Sequence, residues 1–202
     1  MYVVYVIVII CVCQCDSIMN LDDDDDNDAD KRYVVVLALD FFKAFDTVRH
    51  ATLLQKIAQL DLPDPVYNWL ANFFSERSHC VRYGGEVSTI LDINASIIQG
   101  SALGPVSYVV TVGDLTTVTP GNQIHKYADD TYILVPASNI HSRKTEVDHV
   151  ADWAQTNNLK LNREKSVEIV FTGKRKHLDC NPPELPGISR VTVDHHTWCH
   201  CQ

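Results

Sequence analysis

Apolar residues in the first part of the chain change from a continuous run to a helical spacing. Residues 33–39 are apolar and rich in β-branched side chains, which is typical of a strand buried on both faces. The run ends at Asp40. Apolar positions then recur at helical spacing over 48–60, until Pro63 interrupts them, and again over 65–75. The pattern therefore predicts one buried strand followed by two helices.

From residue 80 onward, apolar residues recur at every second position, as they do in a strand. Residues 80–83 and 86–90 flank Gly84-Gly85, and glycine readily adopts the positive φ angles of a tight hairpin turn. Residues 123–135 form two apolar arms around Asp129-Asp130, which also predicts strand, turn and strand. Similar patterns predict helices over 104–115 and 143–156 and strands over 159–161 and 166–171.

These elements indicate the α+β fold class. We expect a small antiparallel sheet that carries Asp40 and the Asp129-Asp130 hairpin, with helices packed on one face. The helix over 143–156 is expected to stop at Asn157-Asn158, because asparagine tolerates the left-handed conformation that caps a helix.

The two ends of the chain differ in composition from residues 31–172, which we expect to form the folded domain. Residues 1–30 combine an apolar run with an acidic block that repels itself and is expected to be a solvated linker. This block lacks the ligand spacing of a calcium-binding loop. Residues 173–202 show little pattern and are expected to be an irregular tail.

The formal net charge of the chain is −9. Seven aspartates within residues 22–30 account for most of that excess. Proteins that hold a nucleic acid backbone usually present an excess of Lys and Arg to the phosphates. Composition alone therefore argues weakly against nucleic-acid binding.

Cysteine usage and hydropathy indicate an intracellular protein, in the cytoplasm or the nucleus. The chain has seven cysteines, an odd number, and five of them lie towards its two ends, which is not a disulfide framework. The apolar run over 2–12 is shorter than the roughly 20 residues of a membrane-spanning helix. It also lacks the basic leader of a signal peptide, so secretion is not expected. A membrane-anchored acidic protein is an alternative that rests on residues 2–30 alone.

A compact group of metal-ligand residue types lies near the C-terminus. It consists of His195, His196, Cys199, His200 and Cys201. These side chains suit zinc by type, but their spacing is more compressed than that of the usual four-ligand knuckle. We therefore do not expect a zinc site there.

Two acidic positions could carry chemistry: Asp40 at the end of a buried strand, and Asp129-Asp130 at the tip of a hairpin. Strand ends in one sheet can bring carboxylates together, where they repel unless a proton or a cation lies between them. Mg²⁺ prefers such oxygen ligands together with waters and phosphates. The alternative is that turns favour aspartate for its local hydrogen bonds, and either position taken alone fits that interpretation better.

Four segments together resemble the palm motifs of reverse transcriptases encoded by non-LTR retrotransposons. Residues 37–50 (LALDFFKAFDTVRH) resemble the first motif and residues 99–105 (QGSALGP) the second. Tyr127–Asp130 (YADD) resembles the third, and residues 158–166 (NLKLNREKS) resemble the fourth. The motifs occur in the family's order and span roughly residues 33 to 172.

The resemblance implies an RNA-directed DNA polymerase that joins nucleotides with two Mg²⁺ ions, for which Mn²⁺ would substitute. Asp40, Asp129 and Asp130 would be the catalytic carboxylates and the metal ligands. Lys165 would lie near the phosphates and protonate the departing pyrophosphate. An RNA template, a DNA primer and deoxynucleoside triphosphates would be the binding partners.

The resemblance also implies four contacts with the substrate. Phe41, grouped with these residues, would offer its carbonyl oxygen as a backbone ligand to the metal. Phe45 would clash with a 2′-hydroxyl and so favour deoxynucleotides. Gln99 and Gly100 would lie against the template and the incoming nucleotide, where glycine permits a close approach of the backbone. From the residue pattern alone, Phe45 would be a core aromatic and Lys165 an exposed turn residue, and these alternatives stay open.

The chain departs from the family pattern in three places. The fingers region expected before Asp40 and the thumb expected after Thr172 are largely missing, and the helix after Pro105 is rich in β-branched residues that lower helix stability. The missing parts would carry most of the positive charge that grips nucleic acid. We therefore expect a fragment that is inactive alone. The alternative function is a non-catalytic palm-derived module that binds nucleic acid or associates with a fuller polymerase.

Overall fold

The structure is a computed structural model that describes residues 33–98, 100–172 and 182–194. The N-terminal apolar run, the acidic block and the C-terminal His/Cys group all lie outside these residues. The chain forms two compact units. Their described parts are the sheet unit, which contains residues 33–41, 116–152, 161–172 and 182–194, and the helical unit, which contains residues 42–98, 100–115 and 153–160. The expected domain boundaries at residues 31 and 172 stay a prediction.

Helices and strands are mixed along the chain as expected for the α+β class. In chain order the elements are β1 (Tyr33–Leu39), α1 (Ala44–Thr47), α2 (His50–Ile57), α3 (Asp64–Phe74), β2 (Arg77–His79), β3 (Arg82–Tyr83), β4 (Glu86–Val87), β5 (Leu91–Ile93), α4 (Leu103–Val112), β6 (Gln123–Tyr127), β7 (Asp130–Pro136), a 3₁₀ helix (Ala137–Ser142), α5 (Arg143–Thr156), β8 (Val167–Thr172) and β9 (Ser189–Asp194). None of the helices in the described residues is long and apolar enough to cross a membrane.

The central strand of the sheet unit is β1, which lies between β7 and β8 in a five-stranded sheet of order β6-β7-β1-β8-β9. Its residues 34–37 expose 1% or less of their surface, so the prediction of a strand buried on both faces is confirmed. Full burial stabilises each such aliphatic side chain by about 1.5–3 kcal/mol relative to exposure.

Four strands of this sheet pair in antiparallel fashion, but β9 runs parallel to β8. Residues 189–194 are expected from the sequence to lie in an irregular tail, and they form β9 instead. The pairing runs from Val167 opposite Ser189 to Thr172 opposite Asp194. Parallel strands need a long connection rather than a tight turn, so no local turn signal marks this pair in the sequence.

The sheet unit contains a buried ionic triad, in which Glu168 on β8 pairs with two arginines. Glu168 is fully buried, and the side chains of Arg143 and Arg190 are 5% and 8% exposed. Arg143 donates to Oε1 of Glu168, and Nε of Arg190 donates to Oε2 at 2.7 Å. Each buried charge is therefore compensated by direct hydrogen bonds, as burial of a charge requires.

A second buried carboxylate, Glu146 on α5, accepts three hydrogen bonds from the preceding loop. The backbone N–H groups of Val118 and Thr119 donate to it at 3.2 and 2.8 Å, and Nδ2 of Asn122 donates at 2.8 Å. These bonds tie the loop before β6 to α5 and so fix the point where β6 begins.

In the helical unit, the helix predicted over 48–60 is present but shorter, as α2. Val48 has extended backbone (φ −62°, ψ 116°), and Arg49 forms an isolated antiparallel bridge with Ala95. Nε2 of His50 then lies 2.8 Å from the carbonyl oxygen of Ser96, to which it donates. The pairing with residues 95–96 therefore delays the start of the helix.

Two turns predicted from the sequence are confirmed in the helical unit. Gly84 and Gly85 join β3 to β4 with φ angles of 58° and 90°. Asn158 ends α5 with a φ of 60°, and the N–H groups of Asn158 and Leu159 donate to the carbonyl oxygens of Gln155 and Ala154 at 3.2 and 2.8 Å. These two bonds are those of a Schellman motif, which satisfies carbonyl groups at the end of the helix.

Candidate active site

Two of the three candidate carboxylates lie on the hairpin that joins β6 to β7. Tyr127 pairs with Asp130, so Ala128 and Asp129 alone form the turn. Ala128 has a φ of 51°, in the left-handed region that residues with a Cβ rarely adopt. Two-residue hairpins favour positive φ angles because these match the twist of the flanking strands. The strand pairing therefore holds Ala128 in a strained conformation and places both aspartates at the tip.

The third carboxylate, Asp40, stands beside the first strand residue of β7. Leu39 is paired with Thr131 in the antiparallel register of β1 and β7, so Asp40 and Asp130 occupy the next opposing positions. Cα atoms of directly opposed residues on antiparallel strands are about 4.5–5.5 Å apart. The alternation of side chains places Asp40 and Asp130 on the same face of the sheet.

The electrostatics of Asp130 reflect this convergence. Burial raises the pKa of Asp130 above its ordinary value, and the negative charges of Asp129 and Asp40 raise it further. A positive charge beside Asp130 would therefore stabilise its ionised form.

Asp40 is also held by the turn that precedes β8. Nδ2 of Asn162 donates to Oδ2 of Asp40 at 3.0 Å, and the backbone N–H of Asn162 donates to the Asp40 carbonyl oxygen at 2.8 Å. The backbone N–H of Asp40 donates to Oγ of Ser166 at 3.2 Å. Asn162 and Ser166 both lie within the segment that resembles the fourth motif, but their contacts with Asp40 are not evident from the sequence, because 122 and 126 residues separate them from it.

The three carboxylates suit a divalent metal by chemistry, since Mg²⁺ prefers hard oxygen ligands and excess negative charge. Their arrangement is not a closed coordination shell. Within the described residues, no group of three or more His, Cys, Asp or Glu side chains is placed to hold a metal ion. A metal would therefore need a small adjustment of these side chains or further ligands from water and substrate.

The remaining residues singled out by the sequence are distributed over both units. In the sheet unit, Phe41 is 4% exposed and forms an isolated antiparallel bridge with Leu161. Within the described residues, this bridge is what remains of the strand expected over 159–161. Lys165 lies in an exposed turn. The roles of Phe41 and Lys165 toward a substrate stay predictions.

In the helical unit, Phe45 stacks on Tyr108 with ring centroids 4.8 Å apart. This contact gives Phe45 a packing role, and its role toward a sugar stays a prediction. Gly100 has a φ of 82°, and a Cβ there would meet no atom within 4 Å. Glycine is therefore required by the backbone conformation rather than by crowding. Gln99 lies outside the described residues.

The fold is of the α+β class. Its sheet carries one aspartate at the end of the central strand and two at the tip of the neighbouring hairpin, and this arrangement defines a palm-type domain. The family model described as reverse transcriptase (RNA-dependent DNA polymerase) matches residues 11–187, and the chain belongs to this family. The resemblance inferred from the four motifs is therefore confirmed.

The curated relatives are polymerases of mobile elements. The chain is 33% identical over 171 residues to the RNA-directed DNA polymerase from mobile element jockey of Drosophila melanogaster. The aligned region covers 79% of this chain and 18% of that relative. It is 30% identical over 154 residues to the probable RNA-directed DNA polymerase from transposon X-element of the same fly, which covers 72% of this chain and 17% of the relative. The chain thus spans less than a fifth of the length of these relatives.

The fold is similar to that of solved telomerase structures from Candida tropicalis. The apo structure superposes with a TM-score of 0.58 at 12% identity and covers 80% of this chain and 32% of the telomerase chain. A telomerase in complex with a fragment of telomeric RNA superposes with a TM-score of 0.56 at 13% identity and covers 81% of this chain and 29% of that chain. The expected α+β class is confirmed by this likeness.

Proposed function

We propose that the chain is the palm portion of a non-LTR retrotransposon polymerase, which copies RNA into DNA, and that Asp40, Asp129 and Asp130 are its catalytic carboxylates. The observation that carries the proposal is the strand pairing, which places Asp40 beside Asp130 and puts Asp129 in the adjoining turn. Burial and the charges of Asp129 and Asp40 raise the pKa of Asp130, which supports this placement. Carboxylates brought together at one edge of a sheet favour a cation between them. Membership in the reverse transcriptase family supports the same assignment.

The proposed cofactor is a pair of Mg²⁺ ions, with Mn²⁺ as a substitute. When bound, the two ions would supply activation of the attacking hydroxyl and stabilisation of the leaving pyrophosphate. Asp40, Asp129 and Asp130 would provide the ligand oxygens. Lys165 would hold the proton, at Nζ, that the leaving group needs.

The proposed substrates are an RNA template, a DNA primer and deoxynucleoside triphosphates. Phe45 would exclude a 2′-hydroxyl by the bulk of its ring, and Gln99 and Gly100 would contact the template and the incoming nucleotide. A protein that acts on these substrates would work in the cytoplasm or the nucleus. We further propose that this chain does not synthesise DNA alone, because its net charge of −9 opposes a firm grip on phosphates.

The first test measures cation binding separately from turnover. Mn²⁺ is titrated into the protein and free Mn²⁺ is followed by its electron paramagnetic resonance signal, for the parent and for Asp129→Asn/Asp130→Asn. The matched control is Asp148→Asn, which removes an exposed carboxylate that pairs with Lys144 and Arg163. Binding by the parent and by the control, and its loss in the double variant, is expected. Equal Mn²⁺ binding by all three proteins would refute the assignment.

The second test is primer extension on an RNA template with Mg²⁺ or Mn²⁺, using the same three proteins. We expect no extension by this chain. Extension by the parent that disappears in Asp129→Asn/Asp130→Asn would establish a working polymerase and would refute the proposed inactivity.

A non-catalytic binding module is the second candidate, and exposed apolar side chains of the helical unit favour it. Trp69, Val81, Tyr83, Ile90 and Leu91 each expose more than half of their surface. Exposed apolar surface of this kind often marks an interaction site. A fuller polymerase of the same family is the proposed partner. Retention of such a polymerase by immobilised parent protein, and its loss with Trp69→Ser/Tyr83→Ser, would support this function.

A further inference from the structure

Asn162 combines burial, a contact with Asp40 and an unpaired atom. It is 3% exposed, and its Nδ2 donates to Oδ2 of Asp40 at 3.0 Å. Its other amide atom, Oδ1, is buried without a hydrogen-bond partner in the described structure. An unsatisfied buried acceptor is costly and in a folded protein calls for a reason.

The direction of the amide supplies that reason. If the amide group were turned by half a rotation, Oδ1 would face the carboxylate oxygen of Asp40, and two acceptors would lie in contact. The observed orientation leaves Oδ1 unpaired and aims the only donor of the side chain at Asp40. The contact with Asp40 thus takes precedence over full hydrogen bonding of Asn162.

The backbone around Asn162 holds the amide in place. The N–H of Asn162 donates to the Asp40 carbonyl oxygen at 2.8 Å, and the Asp40 N–H donates to Oγ of Ser166 at 3.2 Å. Oγ of Ser166 in turn donates to the Asn162 carbonyl oxygen at 2.7 Å, and Ser166 is fully buried. Asp40 and the 162–166 turn are therefore joined at three points, of which the Asn162 amide is the one that touches the carboxylate.

We propose that Asn162 is a positioning residue, whose amide fixes the carboxylate of Asp40 in the orientation needed to bind a divalent cation beside Asp129 and Asp130. The proposal rests on the proposed function of these three carboxylates. Asn162 neither binds the cation nor meets the substrate in this role. Its hydrogen bond to Oδ2 of Asp40 restricts rotation of the carboxylate. The other oxygen of Asp40, Oδ1, is left for the cation.

The test compares Mn²⁺ affinity of the parent with that of Asn162→Ala, measured by the same resonance titration at a temperature where both proteins are folded. Loss of a hydrogen bond to a metal-binding side chain typically weakens metal binding by about 10- to 100-fold. We expect a weakening of that size. Asn162→Leu is the second variant, in case alanine at this position prevents folding. Leucine has the same number and branching of side-chain heavy atoms and also removes the unpaired amide oxygen of Asn162.

The matched control is Ser166→Ala, which breaks two hydrogen bonds of the same turn without touching the carboxylate. It is expected to lower the melting temperature while weakening Mn²⁺ binding clearly less than Asn162→Ala does. Equal weakening by both variants would refute the proposal, because stability of the turn would then explain the effect.

The outcomes separate the two levels of inference. If the parent binds Mn²⁺ through Asp129 and Asp130 and the Asn162 variants bind it equally well, the positioning role is wrong and the proposed function stands. If the parent and Asp129→Asn/Asp130→Asn do not differ in Mn²⁺ binding, the proposed function fails and the role of Asn162 fails with it.

Discussion

The ionic triad of the sheet unit permits a quantitative prediction for Glu168→Gln. The substitution keeps the size of the side chain and removes its negative charge, so two guanidinium groups remain buried without a counterion. Removing one partner of a buried ion pair costs about 3–5 kcal/mol. Arg143 retains the carbonyl oxygens of Ile140 and Pro183 as acceptors, and Arg190 retains that of Pro183. We therefore expect the lower end of the range, about 3 kcal/mol.

Thermal unfolding followed by circular dichroism measures this cost. A loss of 1 kcal/mol lowers the melting temperature of a domain of this size by about 2–4 °C, so Glu168→Gln should melt roughly 6–12 °C below the parent. The matched control is again Asp148→Asn, which also removes a carboxylate paired with two cations. The side chain of Asp148 is 42% exposed, and exposed pairs contribute only about 0–1 kcal/mol.

Two results would refute this reasoning. If Glu168→Gln and Asp148→Asn lowered the melting temperature equally, burial of the triad would have no energetic consequence. If the apolar triple variant Arg143→Met/Glu168→Leu/Arg190→Met were less stable than Glu168→Gln, the cost would not arise from uncompensated charge. Well-packed apolar replacements of a buried ionic group are commonly neutral or stabilising.

Three further predictions concern the site and its supports. Without divalent cations, Asp130→Asn should have a higher melting temperature than the parent at pH 8 and should lose this advantage as the pH falls towards 4. The reason is that a raised pKa means that ionising Asp130 destabilises the fold. Equal melting temperatures at pH 8 would contradict this prediction. Ala128→Gly should raise the free energy of unfolding by up to about 1 kcal/mol, measured in urea, by relieving left-handed strain, whereas Ala151→Gly within α5 should lower it by about 1 kcal/mol. Glu146→Gln should lower the free energy of unfolding by about 1–3 kcal/mol, because the new NH₂ group would face a backbone N–H that now donates to the carboxylate. Hydrogen exchange of the amides of Val118 and Thr119 should become faster, and unchanged exchange would contradict this prediction.

The sequence predicts the strand and the carboxylates that matter most because both signals are local. A seven-residue apolar run has room for one strand, and an aspartate directly after it must lie at the strand end. The same holds for Asp129 and Asp130 between two apolar arms. Local patterns of this kind also located α3, α5 and the Gly84-Gly85 turn.

Long-range contacts explain what the sequence does not predict. Glu168 lies within an apolar strand, where a charged residue usually indicates an exposed position, yet it is buried because two arginines distant in sequence reach it. The pairing of β9 with β8 and the contact of Asn162 with Asp40 depend in the same way on segments brought together only by folding. The spacing of apolar residues contains no information on such partners.

The three carboxylates are positioned by three different means, and this has a consequence for cation binding. Asp130 is fixed by the β1–β7 register, and Asp40 is fixed by that register together with the amide of Asn162. Asp129 lies in the turn itself, next to the strained Ala128. Relief of that strain by Ala128→Gly should therefore stabilise the fold and weaken Mn²⁺ binding at the same time, since a more flexible turn holds Asp129 less firmly. Tighter Mn²⁺ binding by this variant would show that the strain opposes the metal-binding arrangement rather than supporting it.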